Sequence, residues 1–141
     1  MRAWIPILVL ALAACGDAVT NPSLEGFEHD PRPVEGRWVT TLRLASGELQ
    51  TFEADLTPAG GVFLGSFEFS RLGQVWQLQF ADARWDGVRL QFTARVPVGG
   101  IPTDVDWMAV FFPAEGGEPA RLLLSSNVTG GPGAAVEYVR P

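Results

Sequence analysis

The sequence is poor in the residues on which many catalytic and metal sites depend. Its 141 residues include no lysine and only one cysteine, one histidine and one tyrosine. One cysteine cannot form a disulfide within the chain, and one histidine cannot build a histidine-rich metal site. A phosphate-binding Gly-Lys motif is also missing. Acid–base chemistry would depend on aspartate, glutamate or the tyrosine alone, so we expect a protein that is not an enzyme and needs no metal or cofactor.

Positive charge is scarce as well. All ten basic residues are arginine, against 16 acidic residues, and the formal net charge at pH 7 is −6. An acidic domain is repelled by the phosphates of nucleic acid and by anionic lipid surfaces. The composition therefore predicts no nucleic-acid partner.

The longest apolar run covers residues 3–14, directly behind the positive charge of Arg2. Twelve residues of helix reach about 18 Å, which is less than the roughly 30 Å hydrocarbon core of a bilayer. A positive charge, a short apolar run and small residues are typical of a secretory signal that is removed. We expect residues 1–14 to be this signal peptide.

The single cysteine lies just behind this run, in the stretch Leu12-Ala13-Ala14-Cys15-Gly16. The stretch resembles the lipobox of bacterial lipoproteins, and an ordinary signal with Ala-x-Ala cleavage is the alternative. The resemblance implies a diacylglyceryl group on Cys15, cleavage before it, and an acylated (for example palmitoylated) new N-terminus. Two or more acyl chains anchor a protein stably to a membrane. Because the next residue is Gly16 and not aspartate, the resemblance implies the outer membrane in an organism that has one.

Residues 15–35 would then be the lipidated N-terminus followed by a flexible tether. From Gly16 to Glu35 the chain is polar, acidic and proline-bearing, without helical or strand periodicity. His29 lies in this segment, and we interpret it as a solvated linker residue.

Residues 36–141 alternate between apolar and polar side chains with a period of two, which indicates β-strands with one buried face. Turn signals, among them Asp86-Gly87, separate eight such stretches in simple succession. This order favours an all-β fold, an eight-stranded antiparallel up-and-down barrel, with a β-sandwich as the alternative. The clearest strand puts five apolar side chains on one face: Val88, Leu90, Phe92, Ala94 and Val96.

The first of these strands opens with Gly36-Arg37-Trp38. This is similar to the Gly-x-Trp motif of lipocalins and related calycins, and avidin-like barrels begin in a comparable way. In lipocalins an arginine at the end of the barrel packs over the tryptophan, and Arg140 stands at a comparable place. The resemblance implies a ligand entrance at the end opposite the chain termini, framed by four loop glycines: Gly99, Gly100, Gly130 and Gly131.

The interior of such a barrel is either filled by side chains or holds one small ligand. The ligand hypothesis predicts an envelope protein that binds a small apolar molecule or lipid. The candidate lining residues are Trp38, Thr40, Phe63, Phe67, Trp76, Phe80, Phe92, Trp107 and Tyr138. The alternative is a solid core in an envelope module that binds another protein, as some protease inhibitors do, with the segment 30–33 as a candidate contact.

Two further features admit a functional interpretation. Asp104 and Asp106 share a strand face, where they would form an acid–base pair, part of a Ca²⁺ site or simply a solvated edge. Trp85 is out of phase with the inward residues before it, so it would be either exposed or packed against a neighbouring strand or the tether.

Overall fold

The structure is a computed structural model and describes residues 24–126 and 135–141. In these residues the regular structure is entirely β, in eight strands. They are β1 Gly36–Arg43, β2 Leu49–Ala59, β3 Val62–Arg71, β4 Gln74–Trp85, β5 Arg89–Val98, β6 Ile101–Phe112, β7 Arg121–Ser126 and β8 Val136–Val139. Within the same ranges, no helix has the length and apolar character that a membrane crossing requires.

The strands form a closed antiparallel barrel in sequence order, each paired with its neighbours in the chain. Closure is made by β1 and β8, where Val39 lies opposite Val139. The predicted eight-stranded up-and-down barrel is confirmed, and the β-sandwich alternative is wrong. We call the end that holds the start of β1 and the end of β8 the terminal end, and the opposite end the far end.

Alternation of burial along each strand explains why the barrel closes around one core. In β5 the side chains of Leu90, Phe92, Ala94 and Val96 are buried and those between them are exposed. The prediction that Val88 belongs to this buried set is wrong, because its side chain is 54% exposed and it precedes the strand. Asp86 Oδ1 accepts the backbone N–H groups of Val88 and Arg89 at 2.9 and 2.6 Å, and the Asp86 N–H donates to the Arg89 carbonyl oxygen, which places Gly87 and Val88 at the tip of the turn.

Strand β3 contains a local irregularity that brings two backbones unusually close. The register with β4 shifts between Phe63 and Gly65. A Cβ atom on Gly65 would lie 1.9 Å from the carbonyl oxygen of Asp55 on β2. Only glycine fits there, so its position fixes how β2 and β3 approach each other.

Residues 24–35 pack against the terminal end, which differs from the flexible tether predicted for them. Val34 is fully buried and its carbonyl oxygen accepts the indole N–H of Trp38 at 2.9 Å. Trp85 is buried as well and donates to the carbonyl oxygen of Asp30 at 3.0 Å. Of the two interpretations of Trp85, packing against this segment is therefore correct. Buried indole groups need acceptors, and this segment supplies them.

Candidate functional site

The two ends of the barrel differ in how they are covered. At the terminal end, the Arg140 guanidinium lies 4.1 Å from the centre of the Trp38 ring. It also donates to the carbonyl oxygens of Glu35 and Pro33, both at 2.6 Å. Burial lowers the pKa of Arg140, but an arginine stays charged at physiological pH. These contacts tie the last residues of the chain to the segment before β1 and cover this end.

At the far end, by contrast, several large apolar side chains point into solvent. Leu72 is 82% exposed and Ile101 is 67% exposed, and two more stand at the starts of strands, Leu49 and Val75. Leu72 also has a φ of +56°, a left-handed conformation that is costly for leucine. The terminal end also has exposed apolar side chains, those of Leu64, Val88 and Phe112, but none of these is more than 54% exposed. The three most exposed, Leu49, Leu72 and Ile101, all lie at the far end, and an exposed apolar patch is typical of a surface that contacts a ligand or partner.

Of the predicted entrance glycines, Gly99 and Gly100 form the turn between β5 and β6 at the far end. Both have positive φ, 61° and 83°, as a tight hairpin turn requires. Gly130 and Gly131 lie outside the described residues, and so does Cys15.

The nine predicted lining residues are all buried, and the structure places them at three levels of the barrel. At the terminal end, Trp38 packs edge-on against Phe111, and Phe63 packs against Phe27. Neither of them faces the far end. The sequence reveals which side chains point inward but not which of them meet.

The middle level is a packed aromatic layer. The ring of Phe67 lies 5.8 Å from Phe80, 5.6 Å from Phe92 and 5.3 Å from Tyr138. The Tyr138 hydroxyl reaches across to β3 and donates to the carbonyl oxygen of Glu68 at 2.6 Å. These four residues form a floor that separates the two ends.

On the far-end side of this floor lie Trp76 and Trp107 of the predicted set, while Thr40 lies opposite the floor residue Tyr138 in the β1–β8 pairing. Phe69 joins the two tryptophans, with its ring 6.0 Å from that of Trp107. Two polar residues share the inward strand face here and were missed from the sequence: Arg71 at the end of β3 and Ser126 at the end of β7. Arg71 lies two residues after the inward Phe69, and Ser126 lies two residues after the inward Leu124. This period of two is the sequence signal that could have identified them.

The second candidate is a polar groove of about 610 Å³ across strands β4 to β7, lined by outward residues and also by the inward Phe92, Trp107 and Ser126. It lies where the β4–β5 ladder ends, since only Arg84–Gln91 and Trp85–Leu90 pair there. Asp106 lines it and accepts the Thr93 hydroxyl at 2.8 Å, while Asp104 pairs with Arg95 at 3.1 Å. Both carboxylates are thus partnered on the solvent side, as a solvated edge requires.

Neither the arrangement of metal-ligating side chains nor similarity to known proteins identifies a function for this site. Within residues 24–126 and 135–141, no three of the His, Cys, Asp and Glu side chains come together as metal ligands. In the comparisons with known proteins, no family model matches the chain, and neither a curated protein nor a solved structure shows significant similarity.

Proposed function

We propose that this chain is an exported lipoprotein, acylated at Cys15, whose barrel binds a small apolar ligand or lipid at its far end. The observation that carries the proposal is the difference between the two ends. Arg140, Trp38 and residues 24–35 cover the terminal end, whereas the three most exposed large apolar side chains of the described residues, Leu49, Leu72 and Ile101, lie at the far end. In this proposal the ligand lies above the aromatic floor, between that floor and the loops of the far end.

The acyl anchor is supported by the lipobox-like stretch before Gly16 and by the absence of any other cysteine. In an organism with two membranes, we propose the outer membrane as its location. The anchor would keep the barrel in the envelope, where apolar molecules need a carrier because water does not dissolve them.

Native mass spectrometry of the full lipoprotein, purified gently from its own envelope, tests the proposal. We expect extra mass that organic solvent releases, and its value would identify the ligand. The double variant Leu72→Ser/Ile101→Ser should retain less of it, because it removes apolar contacts at the far end. The matched control is Val88→Ser, which removes an exposed apolar side chain at the terminal end. A bare protein mass in every sample would contradict ligand binding.

A second candidate function is an envelope module that binds another protein through the same far end. The packed floor of Phe67, Phe80, Phe92 and Tyr138 favours it, because this layer leaves the middle of the barrel filled. Cross-linking in the envelope separates the two candidates. The full lipoprotein carrying a photo-reactive residue at position 72 would form a discrete protein adduct only if a partner covers the far end.

A further inference from the structure

Three polar side-chain atoms are buried without a hydrogen-bond partner in the part of the chain that the structure describes. They are Arg71 Nε, Trp107 Nε1 and Ser126 Oγ. The other buried indole groups in this part are satisfied: those of Trp38, Trp76 and Trp85 all donate to backbone carbonyl oxygens. Buried polar groups in native proteins are rarely left unpaired, so three of them together need an explanation.

The three atoms belong to one region of the barrel. Trp107 and Ser126 lie directly opposite each other in the β6–β7 ladder. Trp107 contacts Phe69, which stands two residues before Arg71 on the same face of β3. Arg71 and Ser126 are the last residues of their strands, and both strands end at the far end. All three side chains therefore lie on inward strand faces toward the far end, and two of them, Trp107 and Ser126, also line the groove across β4 to β7.

The chemistry of this group is one-sided, since each of the three can donate a hydrogen bond. Arg71 is always charged, and it takes part in no ion pair with the residues described. Arg71 and Ser126 are half-buried residues of which these atoms are buried, and no acidic side chain is among the fully buried ones of these ranges. A cluster of three donors with one positive charge and no carboxylate suits an anion that offers two or more oxygens.

We propose that the far-end ligand is an amphiphile with an anionic oxygen head group, which accepts hydrogen bonds from Arg71, Trp107 and Ser126. The inference rests on the proposed function and names the chemical class of its ligand. The apolar body of the ligand contacts Phe69 and Trp76 and extends past Leu72 at the rim. Carboxylate and phosphate monoester heads share this chemistry.

Calorimetric titration of the full chain with three ten-carbon probes tests the inference: decanoate, decyl phosphate and decan-1-ol. We expect at least one anion to bind about tenfold or more tightly than the alcohol, because a charged hydrogen bond is stronger than a neutral one. Whichever of decanoate and decyl phosphate binds more tightly shows whether the head group of the ligand is a carboxylate or a phosphate. Arg71→Gln should remove most of the preference, and so should Trp107→Phe, which keeps an aromatic ring without the N–H donor.

The matched control is Arg95→Gln, which removes an exposed arginine paired with Asp104 on the outer wall. It should leave the preference intact. If Arg71→Gln does not fold, Ser126→Ala provides the same test with a smaller change. Equal binding of the alcohol and both anions would overturn this inference and leave the proposed function standing, whereas no binding of any probe would contradict both. An equal loss of preference in Arg95→Gln would also overturn it, because the effect would then come from net charge.

Discussion

Tyr138 is the only tyrosine of a chain without lysine, and the structure buries its side chain. Burial raises the pKa of Tyr138, and the nearby Glu68 carboxylate adds to this rise. An unfolded tyrosine ionises near pH 10. The stability that the neutral phenol contributes is therefore complete below about pH 10 and is lost as the pH rises toward the raised folded pKa.

We predict that the free energy of unfolding falls above about pH 10 by up to roughly 1.4 kcal/mol per pH unit. Tyr138→Phe should lose about 1 kcal/mol at pH 8, because the bond to Glu68 is gone, and should then change little up to pH 11. Urea unfolding of both proteins between pH 8 and 11 measures the difference. A parallel fall in the two proteins would show that another group governs the alkaline limit.

Individual residues also show how far the candidate site could be predicted. The buried state of Trp76 and Trp107 follows from strand alternation, and the structure agrees. Arg71 and Ser126 were missed because an arginine and a serine at a strand end are ordinarily solvated. Their burial depends on neighbours from distant strands, such as Phe69 against Trp107, which no local pattern contains.

At the scale of elements, the strands were predictable and one of their connections was not. Period-two alternation identified all eight strands, because each has one face in the core and one in solvent. Asp86-Gly87 indicates a two-residue turn at those positions, yet the two turn residues are Gly87 and Val88, because Asp86 lies opposite Arg89 and donates its backbone N–H to the Arg89 carbonyl oxygen. The carboxylate of Asp86 competes for two backbone N–H groups there, a side-chain effect that hydrophobic patterning does not record.

The β3–β4 hairpin turn yields a prediction about stability and binding together. Leu72 and Gly73 both have positive φ, 56° and 75°, a pattern of two-residue turns that prefers asparagine or glycine at the first position. Leu72→Asn should therefore stabilise the fold by about 0.5–1 kcal/mol. It should also weaken binding of an apolar ligand about threefold to tenfold, because it removes an exposed apolar side chain at the rim.

Thermal unfolding and calorimetric titration with decanoate measure these two effects on the same sample. Val88→Ser is the control, since it alters an exposed apolar residue at the terminal end and should leave decanoate affinity unchanged. Stabilisation without weaker binding would mean that Leu72 does not contact the ligand.

The whole molecule is held together at the terminal end by contacts between distant parts of the chain. The sequence does not predict this, because residues 24–35 are polar and proline-bearing and their partners lie far away in sequence. Phe27 meets Phe63, and Asp30 meets Trp85. Arg140 joins this segment to the last strand through two backbone hydrogen bonds and the Trp38 ring.

We predict that Arg140→Ala costs about 2–3 kcal/mol in unfolding free energy, from the lost cation–π contact and the two hydrogen bonds. The unfolding free energy of Arg140→Lys should lie between those of Arg140→Ala and the wild type, because lysine keeps the charge but not the planar guanidinium group. Hydrogen exchange should also become faster in residues 31–37. The control Arg95→Ala removes an exposed ion pair and should cost less than about 1 kcal/mol. An equal loss of unfolding free energy in Arg140→Ala and Arg95→Ala would show that the contacts of Arg140 at the terminal end stabilise the fold no more than an exposed ion pair does.

The proposed anchor sets how far the terminal end of the barrel can lie from the membrane. Nine residue steps separate Cys15 from Leu24, so the chain between them spans at most about 30 Å. Because residues 24–35 lie on the terminal end, this end would be tethered within about 30 Å of the anchoring membrane.

We predict that the wild type incorporates a labelled fatty acid in cells and fractionates with membranes, whereas Cys15→Ala does neither, because the acyl group has no attachment atom. Asp17→Ala is the matched control, since it changes a residue just beyond the lipobox-like stretch and should keep the label. Equal label in wild type and Cys15→Ala would contradict acylation at this residue. Loss of the label in both Cys15→Ala and Asp17→Ala would indicate that export, and not the thiol, limits the modification. Membrane fractionation would then show whether the unlabelled precursor accumulates.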